Sequence, residues 1–587
     1  MATILDRTIR VMRSEQMLVA LLAVITGLAA GFGGIAFRHA IDLFQAVFFG
    51  SPTPHLASYA ADLAWWHVLL APAVGGLLIG AFRRWLVPGR RYQAVAEVIE
   101  AATLKGGRIR LRDGLVAAVG SAATLGMGGS AGREGPVVHL GATVASVIAQ
   151  ALGLRRSAAM TLLGCGVAAA IAASFNAPIA GVFFALEVVV GHYGLTAFAP
   201  VVLASIMGTI VTRVHFGDYP AFILDSHVIV SFWEIPAFAL LGILSALIAW
   251  AFMASIFAVE DTMRHLRIPP LVSPALGGLA VGAIAIALPE VLGVGYEATD
   301  LALHGKLAFS LLVALAIAKT LATALTLGSG FSGGVFSPSL FVGAMAGAAF
   351  GVIAAAAVPE GASEVSTYAI VGMASVAGAV LDAPISTLLI VFELTANFNL
   401  TIAVMIGAAL AALIANQVIG RSYFRWSLER RGIYLGADRA RQLLTHRNVR
   451  EIMATDYVTL PTDAGRDAMR RELRQNPRGN FLVIDGEGLL AGVLTLEDMK
   501  VLLFGEEDAE TEKATAGALM HPSHALLTPE DDLATALGRM AGCDDDFLPV
   551  VRGPQDRRLA GVIKRRDLDL AHNRALAEAG MEARGST

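Results

Sequence analysis

Long apolar runs separated by short polar breaks fill most of residues 1–432. A helix needs about 20 apolar residues to cross a bilayer, and ten runs are long enough. They lie near 17–48, 64–86, 114–129, 157–173, 196–213, 232–258, 273–290, 308–328, 339–357 and 400–420. Three others, near 136–152, 178–190 and 384–395, look too short for a simple span. Short segments interrupted by glycine or proline are typical of discontinuous helices around a polar site in a membrane domain.

The pattern changes after residue 430, where Arg, Asp and Glu become frequent. Two similar blocks, 446–504 and 514–573, each predict a short apolar strand, an amphipathic helix, two strands joined by a polar turn and a final helix. The acidic stretch FGEEDAETEK between them is typical of a solvated linker. Residues 574–587 follow as a C-terminal tail. We expect this part to be a soluble, cytoplasmic α/β pair.

Composition agrees with a membrane protein. The 587 residues are 56% hydrophobic and 16% charged, with a mean hydropathy of +0.65, whereas soluble proteins carry about 25% charged residues. Arg7, Arg10 and Arg13 precede the first apolar run without a signal-peptide cleavage site, which favours a cytoplasmic amino terminus in the inner or plasma membrane. Two cysteines give no disulfide framework. The sequence has no nucleophile–base pair that would indicate an enzyme and no metal-ligand cluster. It also has no basic stripe with interleaved aromatic residues that would indicate nucleic-acid binding.

Two stretches of the apolar part repeat each other. Residues 164–187 read GCGVAAAIAASFNAPIAGVFFALE, and residues 370–393 read IVGMASVAGAVLDAPISTLLIVFE. Upstream, SAGREGPVVHLGA (130–142) matches SGGVFSPSLFVGA (332–344) at an offset of 202. A duplicated apolar unit with helix-breaking turns is typical of transporter folds, whose site lies at the interface between the repeats.

The glycine-rich turns GREGP and GVFSP each precede an apolar helix. Unpaired N–H groups and the helix dipole make a helix start mildly positive, which suits an anion. Two such starts facing each other could hold a dehydrated anion that a lysine or arginine would bind too tightly to release. The candidate anion-binding residues are Gly132, Arg133 and Gly135 in the first turn and Gly334, Val335 and Phe336 in the second.

Glu134 lies within the first of these turns. An ionisable residue inside a membrane is a functional candidate. We expect its carboxylate to rest in the anion site, to compete with the anion and to leave when protonated, which makes it a gate. The alternative is that it caps the helix start electrostatically. Glu187 and Glu393, at equivalent repeat positions, are expected to brace the fold by accepting N–H bonds, and His139 to be a hydrogen-bonded core residue.

GREGP, then NAP with a glutamate nine residues later, then GGVFSP resemble the CLC family of chloride channels and transporters. The resemblance covers residues 15–432, and the tail resembles tandem CBS domains. It implies an all-α polytopic membrane domain with inverted internal repeats, in a homodimer with a pore in each subunit. It also implies that Glu134 is the gate and that Val335 and Phe336 supply backbone donors to the central anion.

Three positions depart from the family pattern. The first selectivity turn of the family reads GSGIPE or GxGVPE, but residues 92–97 read YQAVAE, so that Gln93 replaces a serine. The family's pore tyrosine matches Phe424, although a shift by one residue would place Tyr423 there. Proton-coupled members usually have an inner glutamate where this chain has Val188. The resemblance therefore implies channel-like transport of chloride or other small anions. A proton-coupled chloride or fluoride antiporter is the alternative.

A non-conducting membrane sensor with a nucleotide-binding tail is a third hypothesis. The turns after the last strands of the two blocks read TLED and KRRD. In CBS domains the threonine and aspartate of such a turn can hold an adenosine ribose, which marks Thr495, Asp498 and Asp567 as candidates. Because the second turn lacks the threonine, a structural, dimer-bracing role is an equal alternative to binding an adenine nucleotide.

Overall fold

The computed structural model describes residues 15–53, 55–86, 94–191, 194–218, 222, 229–395, 400–433, 440, 443–476, 481–495, 498–499, 514–523, 525–541, 543, 546–553 and 556–585. The chain divides into two compact units, Met1–Ile433 and Tyr434–Thr587. The described part of the first unit is helical, and the strands of the described chain lie in the second unit.

Eighteen helices make up the described part of the first unit. They are α1 (Glu15–Phe49), α2 (Leu56–Ala61), α3 (Trp65–Leu86), α4 (Ala94–Thr103), α5 (Leu111–Gly126), α6 (Glu134–Ala151), α7 (Arg156–Phe175), α8 (Pro178–Phe184), α9 (Leu195–Phe216), α10 (Ile235–His265), α11 (Ser273–Ala287), α12 (Tyr296–Leu303), α13 (Phe309–Ser329), α14 (Phe336–Ala357), α15 (Val365–Leu381), α16 (Pro384–Thr395), α17 (Thr401–Ile414) and α18 (Tyr423–Glu429). The π-helical turns Ala185–Val190 and Ala415–Ile419 follow α8 and α17.

Eight helices of the described chain are long and apolar enough to cross a membrane. They are α1, α3, α7, α9, α10, α13, α14 and the stretch Thr401–Glu429. Two predicted spans fall short, because α5 has 16 residues and α11 has 15. Gly128, with a φ of 88°, follows the end of α5, and Pro289 follows the end of α11. The segments predicted to be too short include α8 and α16, which are short apolar helices.

The duplication is visible in the backbone. Helices α7 and α15 each end at a left-handed residue, Asn176 with a φ of 56° and Asp382 with a φ of 57°. Such a residue stops a helix by turning the chain away from its axis. Pro178 and Pro384 then begin α8 and α16, because the fixed φ of proline suits a first helical turn. The repeated NAP and DAP motifs thus form the same helix–break–helix unit twice.

Close helix packing inside each repeat depends on paired glycines. A β-carbon at Gly141 in α6 would lie 2.3 Å from the carbonyl oxygen of Gly166 in α7. At Gly343 in α14 it would lie 2.4 Å from the carbonyl oxygen of Gly372 in α15. Any larger residue would push these helices apart, as expected where small residues bring membrane helices together. This contact fixes α6 and α14, the two helices that begin at the repeated glycine-rich turns.

The second unit contains five strands in its described residues. Its elements are β1 (Thr459–Pro461), α19 (Arg466–Gln475), β2 (Phe481–Ile484), β3 (Leu490–Leu494), α20 (Ala516–Leu519), α21 (Leu533–Ala541), β4 (Phe547–Val551), β5 (Leu559–Lys564) and α22 (Arg565–Gly585). Strand β2 pairs parallel with β1 and antiparallel with β3, and β4 pairs antiparallel with β5. The first strand expected in the second block is reduced to a single parallel bridge between Leu527 and Val550.

The two blocks of the tail exchange their leading segments. Ala454, which precedes the first block's strands, forms two backbone hydrogen bonds with Val562 in β5. His521, at the start of the second block, forms two with Val493 in β3. An apolar cluster draws on both blocks: Leu482, Leu490, Val493, Phe547, Val551 and Val562. The blocks therefore share one apolar cluster, in addition to the cluster that each block forms mainly from its own residues.

Candidate functional site

The two glycine-rich turns meet at equivalent positions. The amide of Gly132 donates to the carbonyl of Gly334 over 2.7 Å, and the amide of Gly334 donates to the carbonyl of Gly132 over 2.9 Å. These residues lie at the same place in the two repeats. Helix α6 begins two residues after the first glycine and α14 two residues after the second. The bridge therefore brings two helix N-termini together in a pseudo-symmetric arrangement.

The first-turn amides of both helices converge on this bridge. A β-carbon at Gly132 would lie 3.1 Å from the amide nitrogen of Ser337, and one at Gly334 would lie 3.1 Å from the amide nitrogen of Gly135. Each turn thus lies against the start of the opposite helix. Since the first amides of a helix have no intrahelical partner, the dipoles and donors of two helices favour negative charge at one place.

Threonine hydroxyls brace the turns reciprocally. The Thr326 hydroxyl accepts from the amide of Ser130 over 3.1 Å, and the Thr124 hydroxyl accepts from the amide of Ser332 over 3.3 Å. The matched stretches 130–142 and 332–344 contain the two serines but not the threonines. Thr124 and Thr326 stand at the same offset of 202 residues, and this spacing is the signal by which they could have been found.

Glu134 is buried where the two turns meet, with 1% of its surface exposed. Its Oε1 accepts a hydrogen bond from the hydroxyl of Tyr296 over 3.1 Å and lies 3.7 Å from Nε of Arg133. Its Oε2 has no hydrogen-bond partner within the described chain and lies 3.0 Å from where a β-carbon on Gly132 would be. One oxygen of the Glu134 carboxylate therefore accepts a hydrogen bond, and the other has no hydrogen-bond partner among the described residues.

A cavity, here called the central cavity, brings most of the predicted site residues together. Its lining includes Glu134, Gly135, Gly334, Val335, Phe336, Tyr423 and Phe424. The ring of Phe336 packs against those of Phe175 and Phe184, with centroids 5.1 and 6.5 Å away. Both Phe424 and its neighbour Tyr423 line this cavity, so a phenolic hydroxyl is present beside the phenyl ring.

A second cavity, here called the charged cavity, shares no lining residue with the central one. It is lined by Arg38, Asp42, Arg133, Glu290, Tyr296 and Glu297 among others. The Arg133 guanidinium lies 4.9 Å from the centroid of the Tyr296 ring and donates to the carbonyl of Ser174 over 3.1 Å. The structure thus places the Arg133 side chain in a different cavity from the predicted anion-binding residues that line the central one. Gly132 lines neither cavity.

Two further predicted positions do not line the central cavity or cannot be placed. Val188 is half-buried in the π-helical turn Ala185–Val190 and is not among the residues that line the central cavity. Gln93 lies outside the described residues. His139 is buried in α6, as expected of a core residue, and its Nε2 lies 3.5 Å from Oε2 of Glu97 in α4. Its Nδ1 has no hydrogen-bond partner among the described residues, so the expected hydrogen bonding is not found at this atom.

The expected bracing by Glu187 and Glu393 is confirmed, and it is reciprocal. Glu187 of the first repeat accepts from the amides of Ile385 and Ser386 at the start of α16, over 3.3 and 2.8 Å, and from the Ser386 hydroxyl. Glu393 of the second repeat accepts from the amides at positions 179 and 180 at the start of α8, over 3.1 and 2.7 Å. Each carboxylate therefore caps a helix of the other repeat.

In the tail, the candidate ribose-binding residues of the first block contact each other. The amide and the hydroxyl of Thr495 both donate to Oδ2 of Asp498, each over 2.7 Å. Nε2 of His521 lies 3.5 Å from the same oxygen. Asp567 lies in the first turn of α22, in the second block. The first turn therefore has a preformed threonine–aspartate pair, and the second block contributes a lone carboxylate.

Comparison with known proteins identifies the family of the chain. Residues 75–416 match the family model of the voltage gated chloride channel, and residues 449–505 and 516–571 each match that of the CBS domain. Chloride channel protein CLC-f of Arabidopsis thaliana is 30% identical over 547 residues, which cover 82% of this chain and 69% of the relative. The voltage-gated ClC-type chloride channel ClcB of Escherichia coli O81 is 29% identical over 408 residues, covering 69% and 97%.

A solved structure gives the same result for the fold. The crystal structure of a eukaryotic CLC transporter aligns with a TM-score of 0.63 and 20% identity, over 94% of this chain and 99% of that chain. Together with the repeated helix breaks and the converging helix starts, these matches place the chain in a known group of anion-transporting membrane proteins. The chain belongs to the CLC family of chloride channels and transporters, and it carries a pair of CBS domains after its membrane domain.

Proposed function

We propose that this protein conducts chloride or other small anions through a pore in which Glu134 is a protonatable gate. The reciprocal pairing of Gly132 and Gly334 carries this proposal, because it aims two helix starts at the cavity that Glu134 lines. An ionised Glu134 carboxylate would occupy the position that these helix starts offer to an anion. Protonation would remove the charge that holds it there, and the anion would then enter.

In this proposal the permeating anion is bound mainly by main-chain amides. Dipoles without a full positive charge allow binding that is weak enough for the ion to leave. Val335 and Phe336 have apolar side chains, so they would contribute backbone N–H groups and an apolar wall. The proposed ligands are the amides of Gly135, Val335 and Phe336, with the side chains of Gln93 and Phe424 completing the path. Of the other predicted ligands, Gly132 and Gly334 pair their amides with each other, and the Arg133 side chain lines the charged cavity, so these three frame the anion site.

Val188 supports passive conductance. It stands where proton-coupled CLC proteins usually have a second glutamate, and an aliphatic side chain cannot carry a proton. A specific contact favours the alternative, a proton-coupled chloride or fluoride antiporter. Glu97 and His139 form a titratable pair on α4 and α6, and α6 is the helix that begins at Glu134.

Reconstitution in liposomes separates these functions. The purified full chain is placed in chloride-loaded vesicles, and both chloride efflux and the reversal potential are measured across a series of pH gradients. Efflux that rises in acid, with a potential set by the chloride gradient alone, supports the channel. A potential that moves with the pH gradient supports the antiporter, and a halide series then distinguishes chloride from fluoride. Absence of efflux at every pH would support a non-conducting sensor instead.

A second proposal concerns the tail, where an adenine nucleotide would bind through Thr495 and Asp498, with Asp567 contributing from the second block. The preformed hydrogen bonds between Thr495 and Asp498 favour it, since they hold together the two side chains that the resemblance to CBS domains marks as ribose ligands. Calorimetric titration of the full chain with ATP, ADP and AMP tests it. We expect binding that Asp498→Asn weakens. If titration with each of the three nucleotides gives no heat of binding, the tail has a structural role instead.

We also propose that the protein is a multi-pass protein of the cell membrane, assembled as a homodimer with its tail in the cytoplasm. The eight apolar helices and the family membership support the membrane location. Light scattering in detergent measures the mass of the assembly. Protease treatment of inside-out and right-side-out vesicles locates the tail, which should be cleaved in inside-out vesicles alone.

A further inference from the structure

Tyr296 lies at the boundary between the two cavities. It is the first residue of α12 and lines the charged cavity, while its hydroxyl donates to Glu134, which lines the central cavity. The hydrogen bond between these two side chains therefore directly connects the linings of the two cavities. Tyr296 belongs to neither repeated motif, and the proposed gate does not require it.

The position of the Tyr296 hydroxyl is fixed by its surroundings. Gly295, immediately before it, has a φ of 89°, and a β-carbon there would lie 2.7 Å from the Phe341 ring. The buried ammonium of Lys319 donates to the carbonyls of Val291 and Gly293, over 3.0 and 2.8 Å, and so holds the preceding loop. The ring packs edge-on against that of Phe222. The loop is thus anchored at several points around one phenol.

We propose that the Tyr296 hydroxyl is a positioning donor that holds the ionised Glu134 across the pathway and sets the acidity at which the gate opens. The inference rests on the proposed gating role of Glu134. A hydrogen bond donated to a carboxylate stabilises its charged form, and the charged form is the closed one. Loss of the hydroxyl therefore makes protonation easier, and the gate opens in less acidic solution.

Other charged groups surround this contact and are unchanged by removal of the hydroxyl. Arg133 lies beside Glu134 in the same turn, and Arg38 and Asp42 on α1 line the charged cavity. Lys319 on α13 holds the loop before Tyr296. Further along α6, His139 pairs with Glu97 on α4. All of these groups remain in Tyr296→Phe. A shift of the pH profile of chloride efflux in that variant is therefore caused by loss of the hydroxyl.

The test is the pH profile of chloride efflux in liposomes for wild type, Tyr296→Phe, Glu134→Gln and the double variant. Tyr296→Phe keeps the ring, so folding is preserved and is checked by thermal melting in detergent. We expect its half-activation to move toward higher pH by about one unit, the size of one hydrogen bond to a charged group. Tyr59→Phe, a partly buried tyrosine on α2, serves as the matched control and should leave the profile in place.

The outcomes separate this inference from the gate itself. If Glu134→Gln removes the pH dependence and Tyr296→Phe leaves the wild-type profile unshifted, the positioning role is wrong and the gate stands. If Glu134→Gln keeps the wild-type pH profile, the proposed gating role of Glu134 is wrong, and the positioning role of Tyr296 is overturned with it. In the double variant we expect the flat profile of Glu134→Gln. A residual shift there would show that Tyr296 acts through another group, which also contradicts the inference.

Discussion

Gly132 and Gly334 determine the geometry of the site, because the lack of a side chain at each lets the two turns exchange hydrogen bonds. A β-carbon at Gly132 would lie 3.0 Å from Glu134 Oε2 and 3.1 Å from the Gly334 carbonyl oxygen. The same atom would approach the amide of Ser337. A methyl group would thus enter the space on which the amide donors converge, and neighbouring backbone would have to move by a few tenths of an ångström.

We therefore predict that Gly132→Ala weakens chloride binding by about tenfold, which corresponds to about 1.4 kcal/mol. Isothermal titration of the purified protein with chloride measures the dissociation constant. Gly34→Ala in α1 is the matched control, since its β-carbon would have its nearest neighbour at 3.6 Å. Wild-type affinity in a folded Gly132→Ala protein would contradict the convergence of donors at this position.

Motif spacing predicted the approach of Glu134, Val335 and Phe336, because equal positions in inverted repeats meet at their interface. Tyr296 was not predictable in this way. It lies 162 residues from Glu134 in the chain, outside the stretches whose sequences match between the repeats. Its approach depends on the loop held by Lys319, and a sequence pattern does not contain that tertiary contact.

At the scale of helices, the repeats are joined by exchanged caps. Glu187 accepts from the start of α16, and Glu393 accepts from the start of α8. The sequence predicted the bracing role from symmetry, but the exchange between repeats required the fold. Helix lengths were less predictable, because an apolar run does not show where glycine or proline ends a helix, as after α5 and α11.

Removing either cap should destabilise the membrane domain. Glu187→Ala and Glu393→Ala each leave two backbone amides at a helix start without their charged acceptor, and we expect each to lower the free energy of unfolding by about 2 kcal/mol. Reversible titration with denaturing detergent measures it. Glu360→Ala, an exposed residue after α14, is the control and should change little. Equal stability of all three variants would show that the caps contribute nothing.

At the scale of the whole molecule, the sequence divides clearly into an apolar helical part and a polar α/β tail, and the structure has two corresponding compact units. The sequence also showed two similar blocks in the tail. It did not show that Ala454 pairs with β5 and His521 with β3, because exchange between similar blocks leaves each block's own pattern unchanged.

This exchange predicts how the tail unfolds. Residues 434–587 expressed alone should unfold in urea in one cooperative transition, since the cluster around Val493 and Phe547 belongs to both blocks. Residues 446–504 alone should lack such a transition, because half of that cluster would be exposed. Circular dichroism against urea concentration measures both. Two separate transitions in the complete tail would show that the shared cluster does not couple the unfolding of the two blocks.

Glu134 is proposed to gate an anion pathway, and the pH dependence of chloride efflux in Glu134→Gln liposomes tests this role most directly. Glutamine resembles the protonated carboxyl, so we predict efflux that is already high at neutral pH and does not increase in acid. Glu360→Gln is the control and should keep the acid activation of the wild type. Acid activation that persists unchanged in a folded Glu134→Gln protein would contradict the account.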